Sequence, residues 1–232
     1  MNLIPKGQEH NHRGVIGIES AIVLIAFVIV AAALAFVVLN MGFLTSQKAK
    51  TSIKSALDEA GSSLSIAGKV IGLAQGGVEP LQAISIPLKL TSGGESVDLD
   101  LTRAKISYLG EDVEFDNIYL AGCTLNGVEY ESPTAAWLAA EGVCTNVAVG
   151  DSPYAAGQPG ATAAIIYWAV DDGNFNTILS EGEHAILSIG WAVGDEPNSL
   201  EKLKAELTVS GGATLTVERN VPNISDLVVD LG

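Results

Sequence analysis

Ala21 to Leu39 is a run of 19 apolar residues without a charge, set inside a longer apolar stretch from Val15 to Leu44, VIGIESAIVLIAFVIVAAALAFVVLNMGFL. About 20 such residues carry a helix across a bilayer. The stretch must therefore leave water, into lipid or against other helices. The chain around it is of a different kind: 48% of the 232 residues are hydrophobic, yet the net charge is -15. Position resolves that conflict. Residues 1–69 hold six Lys/Arg and four Asp/Glu, whereas residues 70–232 hold six and 23. From Ile106 to Glu201 there are 15 acids and no Lys or Arg. Such a surface repels a phosphate backbone, which excludes nucleic acid as a partner. The length beyond the apolar run suits one domain of about 150 residues.

The first fourteen residues, MNLIPKGQEHNHRG, are polar and end in Arg13-Gly14 directly before the run. Three readings compete: a permanent membrane anchor, a cleaved secretory signal with Ala33-Leu34-Ala35 as its small-x-small site, and a class III (prepilin-like) leader cut after Gly14 with the run retained. The residues beyond the run bear on the choice. Ala49, Ile53, Leu57, Ala60, Leu64, Ala67 and Ile71 recur at spacings of three and four, so a helical stripe continues beyond the membrane-length segment. No Pro lies between Val15 and Glu79, and Gln75-Gly76-Gly77-Val78-Glu79-Pro80 offers a Gly-then-Pro stop. The expected layout is a leader over 1–14, one helix over 15–75, a Gly/Pro linker over 76–80 and an outer domain over 81–232. A helix of roughly 55–60 residues would be roughly 85 Å long, more than an anchor needs.

Arg13-Gly14, the apolar run from Val15, the carboxylate of Glu19 five residues after the proposed cut, and the long helix resemble archaeal type IV pilin-like proteins. Within that superfamily GIESAIVLIAFVIVAAALAFVVLNMGF is similar to the N-terminal helix of archaellins, the archaeal flagellins. The resemblance implies a precursor in the cytoplasmic membrane, cut between Gly14 and Val15 by a prepilin-type signal peptidase. Assembly machinery then draws it into an extracellular homopolymer whose helices bundle as a core. Lipid before assembly and neighbouring helices afterwards would meet the same apolar surface, and Ala31-Ala32-Ala33 permits close approach. Glu19 is costly at that depth unless partnered. The resemblance gives it a neighbour's N-terminal amine; the plainer alternative is an interfacial residue one turn from the helix start. Charge alone argues the other way on orientation, since Lys6 and Arg13 precede the run and Lys48, Lys50 and Lys54 come after it.

After Pro80 the period changes from helical to alternating. Strands are expected at 84–90, 97–102, 104–109, 115–120, 163–170, 183–193, 204–209 and 213–218, the last two joined through Ser210-Gly211-Gly212. The fold class is therefore α+β: a long N-terminal hydrophobic α-helix followed by an all-β immunoglobulin-like sandwich domain, with a jelly roll fitting the pattern equally. Residues 121–162 read as irregular and contain Cys123 and Cys144. Two cysteines in an exported chain form one disulfide or stay as buried thiols.

Asp172, Asn174, Asn176 and Glu183 fall at positions 1, 3, 5 and 12 of an EF-hand register, but Thr177 stands at position 6 where the sharp turn wants Gly. Archaellins have similar Asp/Asn-rich segments, and Ca²⁺ is the cation such oxygens would take. The alternative is an acidic turn whose Asx side chains bond the local backbone. Asn223-Ile224-Ser225 is the single N-x-S/T sequon; glycosylation and an unmodified turn both fit it.

Catalytic patterns are absent: no GxSxG, HExxH, CxxC, Walker or GxGxxG motif occurs, and of three histidines only His184 lies beyond the leader. Adjacent acids such as Asp171-Asp172 are too common here to single out a catalytic pair. The expected role is a structural filament subunit, not an enzyme, with no cofactor required beyond the candidate Ca²⁺. The filament is an archaellum for swimming; the alternatives are an adhesive type IV-like pilus subunit and a monomeric membrane-anchored binding module.

Overall fold

The computed structural model describes residues 13–61, 64–77, 79–119, 123–126, 128–155, 157–210 and 212–232. The first twelve residues of the expected leader lie outside the described residues. Chain contacts divide the protein into two compact units, 1–54 and 55–232.

Helix α1 spans Arg13–Gly61, 49 residues. Ala, Leu and straight-chain residues favour it, no Pro interrupts it, and within it a membrane-length segment of mean hydropathy 3.4 is wholly uncovered. Side chains from Gly17 to Lys54 are exposed on every side. A helix apolar all round belongs in lipid or inside a bundle.

The expected continuation of this helix to residue 75 does not occur. Residues 64–73 instead form two short strands, β1 (Leu64–Ile66) and β2 (Ile71–Leu73). Spacing misleads because the stripe behind the expectation includes Ile71, which is 44% exposed, and omits Val70, which is fully buried. Gly61, Gly68 and Gly72 weaken a helix here, and pairing with a neighbouring strand wins. Gly72 has a packing reason: a Cβ there would lie 2.7 Å from Leu81 Cδ1. The Gly76-Gly77 pair is consequently a turn between strands and not a linker after a helix; both adopt positive φ, 76° and 69°.

The other strands are β3 (Ala83–Leu90), β4 (Val97–Asp98), β5 (Ala104–Leu109), β6 (Glu114–Phe115), β7 (Cys123–Leu125), β8 (Ala163–Val170), β9 (Ile178–Leu179), β10 (His184–Gly190), β11 (Lys202–Val209), β12 (Leu215–Asn220) and β13 (Val228–Asp230). One sheet runs β13-β2-β3-β10-β8-β7, with β1 also on β3; a second runs β12-β11-β5-β6; β4 and β9 pair by themselves. Among the described residues all pairs are antiparallel except β7 with β8. The two large sheets share one core, which holds Ile84, Ile86, Leu88, Leu187 and Ile189 from the first and Ile106, Leu203, Ala205 and Leu207 from the second. Tyr108 of β5 meets Trp191, just past β10, at a ring separation of 5.5 Å.

Alternation in β5 and β11 reflects one-sided burial, apolar in and polar out. By contrast, Ala163 to Trp168 of β8 are buried on both faces. A second cluster covers the far side, built from Leu125, Ala136, Trp137, Ala140, Cys144, Val147, Ile165 and Tyr167. Its centre is helix α2 (Pro133–Ala140), inside the segment read as irregular. Ser132 caps α2 by accepting from Ala135 N at 3.3 Å, and Pro133 opens the first turn.

Two expected strands are mostly turn. Beyond Asp98, its Oδ1 accepts from Asp100 N, and Asp100 in turn accepts from the amide and hydroxyl of Thr102. Past Phe115, Asn117 Oδ1 accepts from Ile106 N and Tyr119 N, so Ile118 and Tyr119 enter the core from a loop. These side chains offer the backbone an alternative to a ladder.

Candidate functional site

Three surfaces of the chain have chemistry to explain. The first is α1. Gly14 and Val15 fall in its first turn, and Glu19 lies just beyond on the described surface, exposed, with no other acid before Asp58. Ile18, Val23, Leu24, Phe27, Leu34, Phe36, Leu39 and Phe43 are each 61–74% exposed. Fully burying one such side chain is worth about 1.5–3 kcal/mol, so covering α1 is worth on the order of tens of kcal/mol before ordering costs. Lipid and a bundle of like helices both supply that cover; water does not.

The second is the loop from Asp171 to Glu183. Its backbone is held by a ladder of side-chain acceptors. Asp171 Oδ1 accepts from Gly173 N at 2.7 Å and Phe175 N at 3.2 Å. Asp172 Oδ1 accepts from Asn174 N, Asn174 Oδ1 from Asn176 N, and Asn176 Oδ1 from Ile178 N. This is the Asx-turn alternative, repeated. Glu183 closes the loop from below, 2% exposed, with Oε1 accepting from Asp172 N at 3.3 Å and Oε2 from Ser180 N at 2.6 Å. Ligand atoms of Asp171, Asp172 and Glu183 lie within 4.8 Å of one another. Three carboxylates at that separation have the donor chemistry of a hard cation such as Ca²⁺. Asn174 and Asn176 have their carbonyl oxygens committed to main-chain N–H groups. Asp171 stands outside the EF-hand register; the sequence signal for it is the adjacent pair Asp171-Asp172. His184 comes next, in β10, half-buried.

The third is the α2 region. Cys123, at the start of the edge strand β7, is bonded to Cys144, just after α2, with Cα atoms 5.2 Å apart at a sequence separation of 21. Asn223 and Ser225 of the sequon are both exposed. Buried tyrosines line the interior: burial is the main cause that pushes the Tyr119 phenol above its ordinary range, and its hydroxyl donates to Leu99 O at 2.6 Å.

The family model for archaeal-type flagellin matches residues 14–219. "Probable flagellin 1" of Aeropyrum pernix is 35% identical over 210 residues, 90% of this chain and 92% of that protein. Among solved structures, the archaeal flagellum of Methanospirillum hungatei strain JF1 superposes with TM-score 0.59 at 22% identity, over 92% of this chain and 98% of that one. Flagellin FlaB1 of Methanocaldococcus jannaschii gives TM-score 0.54 at 16% identity, over 73% and 96%. The fold is thus the one found in those proteins, a long N-terminal helix followed by a sheet-rich domain. With the family model covering the chain from the first turn of α1 to β12, the protein belongs to the archaeal-type flagellin family.

Proposed function

We propose that the chain is a structural subunit of the archaellum filament and that it polymerises through α1. The observation that carries this is the uncovered apolar circumference of α1 from Ile18 to Leu44, which needs either lipid or other helices around it. A prepilin-type signal peptidase removes residues 1–14. The family match beginning at residue 14 supports a cut there. Before assembly α1 resides in the cytoplasmic membrane; afterwards it joins a bundle of identical helices outside the cell, loaded by dedicated assembly machinery. Glu19 then meets the amine of a neighbouring Val15, the partner a carboxylate among apolar helices requires. In this layout the leader is 1–14, the assembly helix runs to Gly61, and the outer domain begins at Leu64.

The outer domain faces solvent, which its net charge of -17 over residues 70–232 supports. There the Cys123–Cys144 bridge fastens β7 to the end of α2, and Asn223 is open to glycosylation. Asp171, Asp172 and Glu183 are the residues that would hold Ca²⁺, which supplies a counter-charge to three converging carboxylates. The role is mechanical and structural, with no catalytic constellation invoked.

Electron microscopy of filaments sheared from cells, with mass spectrometry of their subunit, tests the reading. Val15 as first residue in a polymer is expected, and Gly14→Val leaves full-length precursor in the membrane. An intact Met1 in a monomer, or a start near Phe36, overturns it. Swimming assays of a deletion strain separate motility from adhesion.

A further inference from the structure

The layer built on α2 ends in an apolar tip that its own domain leaves exposed. Val143 is 73% exposed and Val149 83%, and Leu138 of α2 is half-exposed four residues before Gly142. A Cβ on Gly142 would stand 3.9 Å from Val149 Cγ2, so the turn at Val149 folds back over the end of α2. Turns usually present Gly, Pro, Asn, Asp or Ser to solvent, yet this one presents Ala148 and Val149. Its backbone is fixed. Asp151 N donates to Ala148 O at 3.1 Å, Asp151 Oδ2 accepts from Ala148 N at 2.9 Å, and Gly142 N donates to Val147 O at 2.8 Å. The bridge from Cys144 to Cys123 ties the same segment to β7. An apolar point held this firmly needs little further ordering when something binds it.

The second sheet carries a surface of the opposite kind. A hollow of about 480 Å³ is lined by Leu109, Gly110, Glu111, Lys202, Lys204 and Glu218. Strand register sets Leu109, Lys204 and Glu218 side by side across β5, β11 and β12, and Leu109 is 45% exposed. Lys105, Lys202 and Lys204 lie on this outer face, three of the six Lys/Arg in residues 70–232. Their partners are Asp116, Glu218 and Glu206. Exposed pairs of that sort are weak, and an ammonium has three protons to donate, so each lysine can hold a second carboxylate. The tip, by contrast, lies in the stretch from Ile106 to Glu201 that has no Lys or Arg, and its valines are flanked by Glu141 and Asp151.

We propose that the α2 tip of one subunit docks in the second-sheet hollow of another copy of this chain, Val149 against Leu109, with Lys202 and Lys204 facing Glu141 and Asp151; the inference rests on the filament reading above. Shape, polarity and charge each match across the pair: a point enters a hollow, valine covers leucine, and acids meet lysines. Two tips brought together would set acid against acid. Within one subunit the surfaces cannot meet, because the α2 cluster covers the far side of the first sheet while the hollow opens on the far side of the second. Sheets sharing a core are themselves about 10 Å apart. A contact between unlike surfaces on opposite sides of one molecule repeats from copy to copy, and where the rotation does not close it builds an open helical filament. The outer domains thereby grip one another independently of α1.

The test uses filaments sheared from cells and warmed, with released subunit measured after sedimentation. Val149→Lys sets a like charge against Lys202 and Lys204 and should release about tenfold more free subunit at a given temperature. Adding Lys204→Glu to the same chain should restore the native resistance. A Val149→Lys filament as resistant as the native one, or no recovery in Val149→Lys/Lys204→Glu, overturns the contact and leaves the polymer through α1 standing; a native chain found only as a monomer overturns both. Circular dichroism of each variant in detergent checks folding. If Lys204→Glu fails to fold, native filaments decide: a zero-length carbodiimide should join Lys202 or Lys204 of one copy to Glu141 or Asp151 of another, and links confined to Glu206 and Glu218 overturn the contact.

Discussion

Trp137 Nε1 donates to Ser188 Oγ at 2.9 Å, and this buried bond joins α2 to the middle of β10. Ser188 Oγ donates its own proton to Ile84 O at 3.2 Å, while Ser85 Oγ, 3.4 Å away, meets Tyr154 Oη at 2.7 Å. The covering layer of the first sheet is therefore held by a small polar network within an apolar surround, where satisfied groups specify one arrangement and an orphaned one is costly.

Ser188→Ala removes the acceptor and leaves the Trp137 indole N–H buried without a partner. The expected loss is about 1–3 kcal/mol. Denaturant unfolding measures it, and hydrogen exchange should quicken first in α2. Unchanged stability and exchange would contradict this account of the layer.

Gly190→Ala tests the same layer by steric means. An added Cβ would stand 2.7 Å and 2.9 Å from Trp137 Cη2 and Cζ2, and 3.3 Å from Pro153 Cγ. A rigid indole cannot step aside without disturbing its bond to Ser188. Overpacking of this kind costs about 1–3 kcal/mol, read as a lower melting temperature with near-ultraviolet tryptophan circular dichroism altered.

The Cys123–Cys144 bridge closes a loop over 21 residues of sequence. By loop entropy it contributes about 3 kcal/mol. Paired Cys123→Ser/Cys144→Ser should lose that much, and reductant should lower the native chain's stability while leaving the variant unmoved. Equal sensitivity of both to reductant would count against the bridge.

Acid dependence resides in exposed carboxylates whose partners are named. The hydroxyl and amide of Thr102 hold Asp100 below the ordinary carboxylate range, Lys202 does so for Glu218, and Lys69 with the Gly232 amide does so for Asp230. A carboxyl whose pKa is lower folded than unfolded stabilises the fold in its ionised form. That contribution is complete above the unfolded value of about 4 and is lost as pH falls through the folded value. The stability difference between the native chain and Asp100→Asn should thus be present at neutral pH and vanish in acid. A difference that grows on acidification would reverse the assignment.

Leu34→Asp places a charge on α1, where Leu34 is 61% exposed. Neither lipid nor a bundle of apolar helices offers it a partner. No filaments should appear in sheared preparations. Filaments of normal length would refute assembly through this part of the helix.

Legibility in the sequence varies with the range of the forces involved. The apolar run and the strands at Ala104–Leu109 and Ala163–Val170 are legible to the residue, because their signals are local: composition in one, alternation or a continuous apolar run in the others. The end of α1 is not. Leu64 and Ile71 fit a helical spacing, and only the pairing of β1 and β2 with β3, farther along the chain, decides against it. Helix α2 escapes notice although Ser132-Pro133 is a start signal, since PTAAWLAA is too short to show a period. At the acidic loop the EF-hand register read from the sequence differs from the geometry, which groups Asp171 with Asp172 and Glu183. Asn174 and Asn176 bond their own backbone, and Glu183 reaches Asp172 from across the turn.

The uncovered circumference of α1 also bears on how a subunit enters a polymer. Between Ala21 and Leu39 the helix has no polar side to act as a compass, so in lipid that stretch would favour no azimuth, and only Glu19 at its start would prefer one. Bulk settles the choice. Phe27 and Phe36 point to opposite sides at 100° per residue, both heavily exposed, and hollows at Ala31-Ala32-Ala33 lie between them. In the proposed assembly, a growing tip would turn an arriving subunit into register by fit along this stretch and by the pairing of Glu19 at its start.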